Sequence, residues 1–142
     1  KKLKYSMAFL FFSAEELGLL GSKYYVEHPV FPLSKIKFLV NLDMVGSGDN
    51  GIKVVNGTIF RSEFDTLVAL NKKNNFLPDV FIRGPAANSD HFPFYEKGVK
   101  SFFIYTMGEY SEYHSIFDRE KDLPLIEYED LFKLLVGFSG SL

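Results

Sequence analysis

The chain has 142 residues, 46% hydrophobic and 17% aromatic, which suits one folded domain over residues 1–142 with a substantial core. A net charge of −2, with lysine and arginine scattered along the chain, excludes the basic stripe of a nucleic-acid-binding protein. No apolar run reaches the ~20 residues of a membrane helix, and the absence of cysteine excludes disulfides and thiolate zinc sites.

The first half of the chain alternates predicted strands and helices. In chain order these are a strand at 5–12, a helix at 18–27, a strand at 36–43, a short strand near a sheet edge at 52–55 and an amphipathic helix at 60–74. The residues His28-Pro29 end the first helix, and Asn74-Asn75 end the second.

The second half continues the alternation. It contains a predicted strand at 80–82, a helix at 89–97 capped by Ser89, a buried strand at 100–105 and a C-terminal helix at 126–138. Strands that alternate with helices indicate an α/β fold whose sheet is covered by helices on both faces. We expect three layers, α/β/α, around a central mixed and mostly parallel sheet.

Two adjacent carboxylates, Glu15 and Glu16, follow the first predicted strand. Successive side chains diverge at the carboxyl end of a strand, so one carboxylate can bind a metal ion while its neighbour handles protons. A second interpretation is local, because Ser13-x-x-Glu16 is also a capping box and acids favour the first turn of a helix.

Two later segments favour the metal site. Asp43 ends the predicted strand at 36–43, and ligands of open α/β sheets gather at that edge. His114 lies in a loop after another strand, between the aromatic residues Tyr113 and Phe117, which could limit the access of water. Glutamate, aspartate and histidine together suit zinc.

Four ordered motifs now carry a family resemblance: residues 12–22 around Glu15-Glu16, Asn41-Leu42-Asp43-Met44, Ser89-Asp90-His91 and Tyr113-His114. The chain resembles the co-catalytic zinc exopeptidases, which include the bacterial leucine and vibrio-type aminopeptidases and have glutamate carboxypeptidase and glutaminyl cyclase as relatives. The resemblance implies that Glu15 is the general base, that Glu16 binds one zinc ion, and that Asp43 and His114 bind the other.

The sequence also departs from that family. Its members carry an upstream His-x-Asp segment, with a zinc ligand, and a further aspartate that bridges two metals; neither precedes the Glu15-Glu16 pair here. Ser115-Ile116 stands where the family usually has Thr-Pro. The chain begins at Lys1-Lys2 without an initiator methionine, so we expect the C-terminal part of a catalytic domain that lacks its N-terminal strands. The resemblance then implies two zinc ions in the complete enzyme and one or none in this chain.

Other residues have supporting roles in this interpretation. We expect Asp90 to line the pocket or to support the metal ligands, and His91 to be a hydrogen-bonded residue at a helix start rather than a ligand. Asp118 is expected to orient the His114 loop. The phenols of Tyr105, Tyr110 and Tyr113 are candidate hydrogen-bond donors to an oxyanion, although most tyrosines in the chain are expected to pack.

The preferred function is a zinc aminopeptidase that hydrolyses the first bond of a peptide with a free N-terminus. The alternatives are a zinc acyltransferase of the glutaminyl cyclase kind and a non-catalytic, peptidase-like binding domain. We expect this chain to be inactive alone and to self-associate if it exposes a sheet edge. The resemblance also suggests export to the periplasm or outside the cell.

Overall fold

The computed structural model describes residues 4–142 and has an alternating order of strands and helices. Its elements are α1 (Leu20–Glu27), β1 (Leu39–Leu42), β2 (Ile52–Val55), α2 (Arg61–Asn74), β3 (Val80–Ile82), α3 (His91–Glu96), β4 (Ser101–Thr106) and α4 (Tyr128–Ser139). Two 3₁₀ turns, Leu33–Lys35 and Glu120–Asp122, lie in the connections.

The four strands form one mixed sheet in the order β1-β4-β2-β3. β1 is parallel to β4 and β2 is parallel to β3, whereas β2 runs antiparallel to β4. The predicted mixed, mostly parallel sheet is confirmed. Because β1 and β4 are parallel, the chain leaves both strands at the same edge of the sheet.

Helices cover both faces of the sheet. Side chains alternate along β4, so Phe102 and Ile104 pack with α2 and α4 in the larger core, while the Phe103 ring lies 5.4 Å from the His91 ring of α3. A smaller core on the second face joins Val26 of α1 to Phe94 of α3. The predicted three-layer arrangement follows from this alternation.

The prediction of a strand at 5–12 is wrong, because these residues form no strand of the described sheet. Side chains alternate only at residues 9–12: Leu10 and Phe12 pack against the smaller core, whereas Phe9 and Phe11 are 75% and 95% exposed, and residues 5–8 are exposed throughout. Yet residues 5–12 belong to no ladder in the described sheet, because residues 10–12 face residues 41–43 across an open cleft. A strand needs a backbone partner at about 4.8 Å.

The other predicted elements are confirmed with bounds that shift by a few residues. The strand predicted at 36–43 is the most shortened, because β1 pairs only where β4 runs beside it, from Leu39 opposite Ser101. Among residues 4–142, no helix is long and apolar enough to cross a membrane.

The structure has neither the alternative capping box at Ser13 nor the predicted cap at Ser89. A capping box needs a helix that begins directly after Ser13. The first helix, α1, starts only at Leu20, so the capping-box interpretation of Glu16 fails. Ser89 does not cap α3 either: the helix begins at His91 after Asp90, with no side-chain capping bond. The Ser89 hydroxyl instead binds side chains of another element.

His91 is fully buried at the start of α3. The prediction of a hydrogen-bonded histidine is wrong, because neither ring nitrogen has a partner with good hydrogen-bond geometry among residues 4–142. Burial lowers the pKa of His91 to about 4, and the nearby backbone of Ala86 and Ser89 opposes this shift only in part.

A matched pair of phenylalanines on α4 tests the larger core. Phe138 is 1% exposed and its ring packs on Phe38 and Phe102, whereas Phe132 is 62% exposed on the same helix. We expect Phe138→Ala to lower the free energy of unfolding by about 4 kcal/mol, because it leaves a cavity. Phe132→Ala should cost far less in the same urea titration, and equal losses would contradict this core.

The burial of His91 predicts acid sensitivity. The folded-state pKa of about 4 lies below the unfolded value of about 6.5, so the neutral ring stabilises the fold above pH 6.5 and this contribution is lost as the pH falls towards 4. Between pH 6.5 and 5 the loss approaches roughly 2 kcal/mol. His91→Phe should flatten the pH dependence of the unfolding free energy, whereas His28→Phe, at an exposed histidine, should not.

Candidate active site

The predicted site residues come together at the edge where β1 and β4 end. Asp43 follows β1, and the His114 loop follows β4. An open cleft of ≈ 410 Å³ at this edge is lined by Glu15, Glu16, Asp43 and Asp90, among others. Together with His114, these side chains come from four separate segments of the chain, and parallel pairing of β1 with β4 brings two of those segments to the same edge.

Glu15 and Glu16 lie in a tight turn before α1. The Glu15 carbonyl accepts hydrogen bonds from the Gly18 and Leu19 amides at 2.9 and 2.8 Å. Gly18 has φ +96°, a conformation that side chains disfavour, and a Cβ at Gly21 would lie 2.5 Å from the Ser13 carbonyl oxygen. The glycines that follow the acidic pair therefore let the chain fold back and direct both carboxylates to the cleft.

Several carboxylates act on Glu15, which is half-buried. Burial raises the pKa of the Glu15 carboxyl, and the negative charges of Asp43, Glu16 and Asp90 raise it further, while His114 acts in the opposite direction. Four acidic groups at one cleft repel each other. A cation or a bound proton would relieve this repulsion.

Glu16 and His114 form a close pair of potential metal ligands. The His114 Nε2 atom lies 3.6 Å from the Glu16 Oε1 atom, and both side chains are exposed to the cleft opening. Imidazole nitrogen and carboxylate oxygen are donors that zinc accepts. In the described part of the chain, however, no three His, Asp or Glu side chains approach closely enough to hold a metal ion. The donor types fit zinc, and residues 4–142 bring together part of a ligand set.

Asp43 is held by a hydrogen-bonded chain that sequence reasoning missed. The Ser89 hydroxyl donates to Asp43 Oδ2 at 2.9 Å, and the Asn41 amide donates to the Ser89 oxygen at 2.7 Å. Ser89 is almost completely buried, so this carboxylate oxygen has a fixed partner. Asn41 and Ser89 both lie inside the motifs quoted above. Because Ser89 stands at the start of a helical pattern, its hydroxyl was predicted to cap that helix, which is wrong.

Asp90 lines the cleft, where we expected it. It is mostly buried, and its Oδ1 atom accepts a hydrogen bond of 2.5 Å from the Ser22 hydroxyl in the first turns of α1. Burial raises the pKa of Asp90 and the charge of Asp43 adds to the shift, whereas the Ser22 bond opposes it. This bond joins the starts of α1 and α3. His91, by contrast, points into the core and does not line the cleft.

The His114 loop is closed by its own side chains. The Tyr110 hydroxyl donates to Asp118 Oδ1 at 3.0 Å across the loop, an arrangement that fits the predicted orienting role of Asp118. The Tyr113 ring lies 4.0 Å from the His114 ring. Partial burial raises the pKa of Tyr113, and the charges of Glu16, Asp43 and Glu15 add to this.

The three candidate tyrosines differ in their surroundings. The Tyr113 ring lies beside that of His114, so Tyr113 stays a candidate near the proposed ligand. Tyr110 is occupied by Asp118. The Tyr105 hydroxyl accepts a hydrogen bond from Arg83 at 3.0 Å and does not line the cleft.

Comparison with known proteins gives named aminopeptidases among the relatives. The chain is 43% identical over 56 residues to a probable leucine aminopeptidase 2 from Aspergillus oryzae, covering 39% of this chain and 11% of that protein. It is 35% identical over 100 residues to aminopeptidase YwaD from Bacillus subtilis, covering 66% and 21%. The chain therefore spans a small part of the length of these relatives.

Solved structures share the fold. The structure of BSAP, a zinc aminopeptidase from Bacillus subtilis, matches with a TM-score of 0.72 and 26% identity over 89% of this chain and 33% of that one. A glutaminyl cyclase from an Acidobacteriales bacterium matches with a TM-score of 0.65 and 22% identity over 85% and 44%, which shows a common fold alone. Because peptidase family M28 matches residues 1–138, nearly the whole chain, this protein belongs to family M28.

Proposed function

We propose that the chain carries part of the active site of a zinc-dependent aminopeptidase. One observation supports this most: Glu15, Glu16 and Asp43 line one cleft, and His114 reaches within 3.6 Å of Glu16 at its opening. The membership of family M28 and the named aminopeptidase relatives support the same reaction. The substrate class is a peptide with a free N-terminus.

In this proposal Glu16, Asp43 and His114 hold zinc. A bound zinc ion would polarise the peptide carbonyl and acidify water in the cleft. The Ser89 hydroxyl binds only the Oδ2 atom of Asp43, so the other carboxylate oxygen, Oδ1, has no bond to Ser89. Since residues 4–142 bring no three donors together, further ligands come from elsewhere in the complete enzyme, which holds two ions, and the chain alone is inactive.

Glu15 handles the proton. Its carboxylate accepts a proton from the attacking water and then passes it to the leaving amine. Glu15 suits this task because it is half-buried in the cleft, beside Glu16. The phenol of Tyr113, whose ring lies beside that of His114, can donate to an oxygen that gains charge during attack.

A glutaminyl cyclase reaction is the second candidate, because a cyclase shares this fold. The two reactions differ in their products, so an assay for pyroglutamate formation against amino-acid release separates them. A non-catalytic binding domain is less favoured, since such domains usually lose ligands and Glu15, Glu16, Asp43 and His114 are all present.

Zinc titration of the purified chain tests the ligand assignment. We expect no more than one equivalent, because the described donors form only a Glu16–His114 pair with Asp43 in the same cleft. Asp43→Ala and His114→Ala should each lower the zinc affinity of the protein at least about tenfold, whereas His28→Ala should leave it unchanged. Two equivalents, or binding that survives both ligand variants, would contradict the assignment.

Glu15→Gln in the intact enzyme tests the proton role. The amide keeps the shape of the side chain but cannot accept the proton, so we expect turnover to fall by at least about a hundredfold while zinc content stays unchanged. Glu27→Gln, at the exposed end of α1, is the matched control and should keep full activity. The assignment of Glu15 is wrong if its glutamine variant retains the wild-type rate.

A further inference from the structure

The connection between β1 and β2, residues 43–51, touches both ends of the long connection that carries His114. That second connection leaves the sheet at Met107 and returns to α4 at Tyr128. Asp43 stands at the start of the first connection, and His114 lies near the middle of the second. Contacts between the two connections therefore set the position of one proposed ligand relative to the other.

The two connections are joined firmly up to Met107. The Met107 amide donates to the Gly51 carbonyl, and the Asn50 amide donates to the Met107 carbonyl, both at 2.8 Å. The Thr106 hydroxyl donates to the Met44 carbonyl at 2.8 Å and accepts from the Ser47 amide at 3.3 Å. These bonds continue the sheet beyond its last strand residue.

Beyond Met107 the next link is a side chain, that of Asp49. Its Oδ2 atom accepts a hydrogen bond from the Glu109 amide at 3.0 Å. A Cβ at Gly108 would lie closer than 3.0 Å to this carboxylate and to the Ser47 hydroxyl, so a side chain there would require both groups to shift. Asp49 thus fixes the direction in which the chain departs towards His114.

The return of the second connection contacts the same residues 43–51. The Leu125 amide donates to the Gly46 carbonyl at 2.9 Å, and Gly48 packs against the backbone and side chain of residues 126–127. Between these two attachments, the Tyr110–Asp118 bond closes the His114 loop on itself. The loop is therefore a closed unit whose outgoing end is oriented by Asp49.

We propose that Asp49 is a positioning residue that holds the His114 imidazole in register with Asp43 and Glu16. The inference rests on the proposed function, because it assigns His114 a ligand role. Asp49 itself binds no metal: its Oδ2 atom is bonded to the Glu109 amide and it does not line the cleft. Its loss would let residues 108–114 rotate away from the sheet edge and would move the imidazole relative to the two carboxylates.

The test combines hydrogen exchange with zinc affinity in the intact protein. In Asp49→Ala, we expect the Glu109 amide to exchange about fivefold faster or more, because it loses its acceptor, and zinc affinity to fall about tenfold, the usual effect of removing a group that orients a ligand. Asp49→Asn keeps an acceptor oxygen and should restore both quantities to within about twofold of the wild type.

Two control variants separate the possible failures. Asp79→Ala also removes a carboxylate that accepts a backbone amide, that of Val80 at 2.9 Å, and should change neither exchange at residues 108–114 nor zinc affinity. His114→Ala reports on the proposed function. If His114→Ala loses zinc while Asp49→Ala keeps it, or if exchange at Glu109 is unchanged in Asp49→Ala, the positioning role is overturned and the proposed function stands. If His114→Ala keeps zinc, the proposed function fails and Asp49 has no ligand to position.

Discussion

Parallel pairing of β1 with β4 is the constraint on which the site depends. It puts the ends of two strands at one edge of the sheet, so that Asp43 and the connection bearing His114 start side by side although about sixty residues of chain lie between the strands. β2 runs antiparallel to its neighbour β4. Residues 43–51, which lead from β1 to β2, therefore cross that same edge and contact both ends of the His114 connection.

The start of α3 is the second organising point. Ser89 bonds Asp43, and Asp90 bonds Ser22, so two consecutive residues connect α3 to the end of β1 and to the beginning of α1. The next residue, His91, is buried against Phe103 of β4. Three neighbours in sequence thus hold three elements around the cleft, and burial of the neutral imidazole makes this arrangement dependent on pH.

Acidic groups and exposed apolar groups mark the side of the sheet where residues 10–12 face β1. Glu15, Glu16, Asp43 and Asp90 repel one another unless a cation or protons compensate them. In the same region residues 5–12 have no partner in the described sheet, and Phe11 is almost fully exposed. The chain spans a third of the BSAP structure.

Most secondary structure could be predicted because it depends on near neighbours. The apolar spacing of residues 60–74 and the continuous apolar run at 100–105 were sufficient to identify α2 and β4. The failures at residues 5–12 and at Ser89 have one cause. Residues 5–12 have the apolar run of a strand without a bonded partner, and Ser89 has the chemistry of a cap while a distant carboxylate takes its hydroxyl. Local patterns do not report which distant group is available.

The sequence by itself indicated most element types and identified Glu15, Glu16, Asp43 and His114 as candidate site residues. Only the tertiary structure decided which polar groups orient them. The Ser22–Asp90, Asn41–Ser89 and Ser89–Asp43 bonds join residues 68, 48 and 46 positions apart, and the Glu109–Asp49 bond joins residues 60 apart. Such partners are chosen by strand order and by the packing of helices on the sheet, which bring distant segments together.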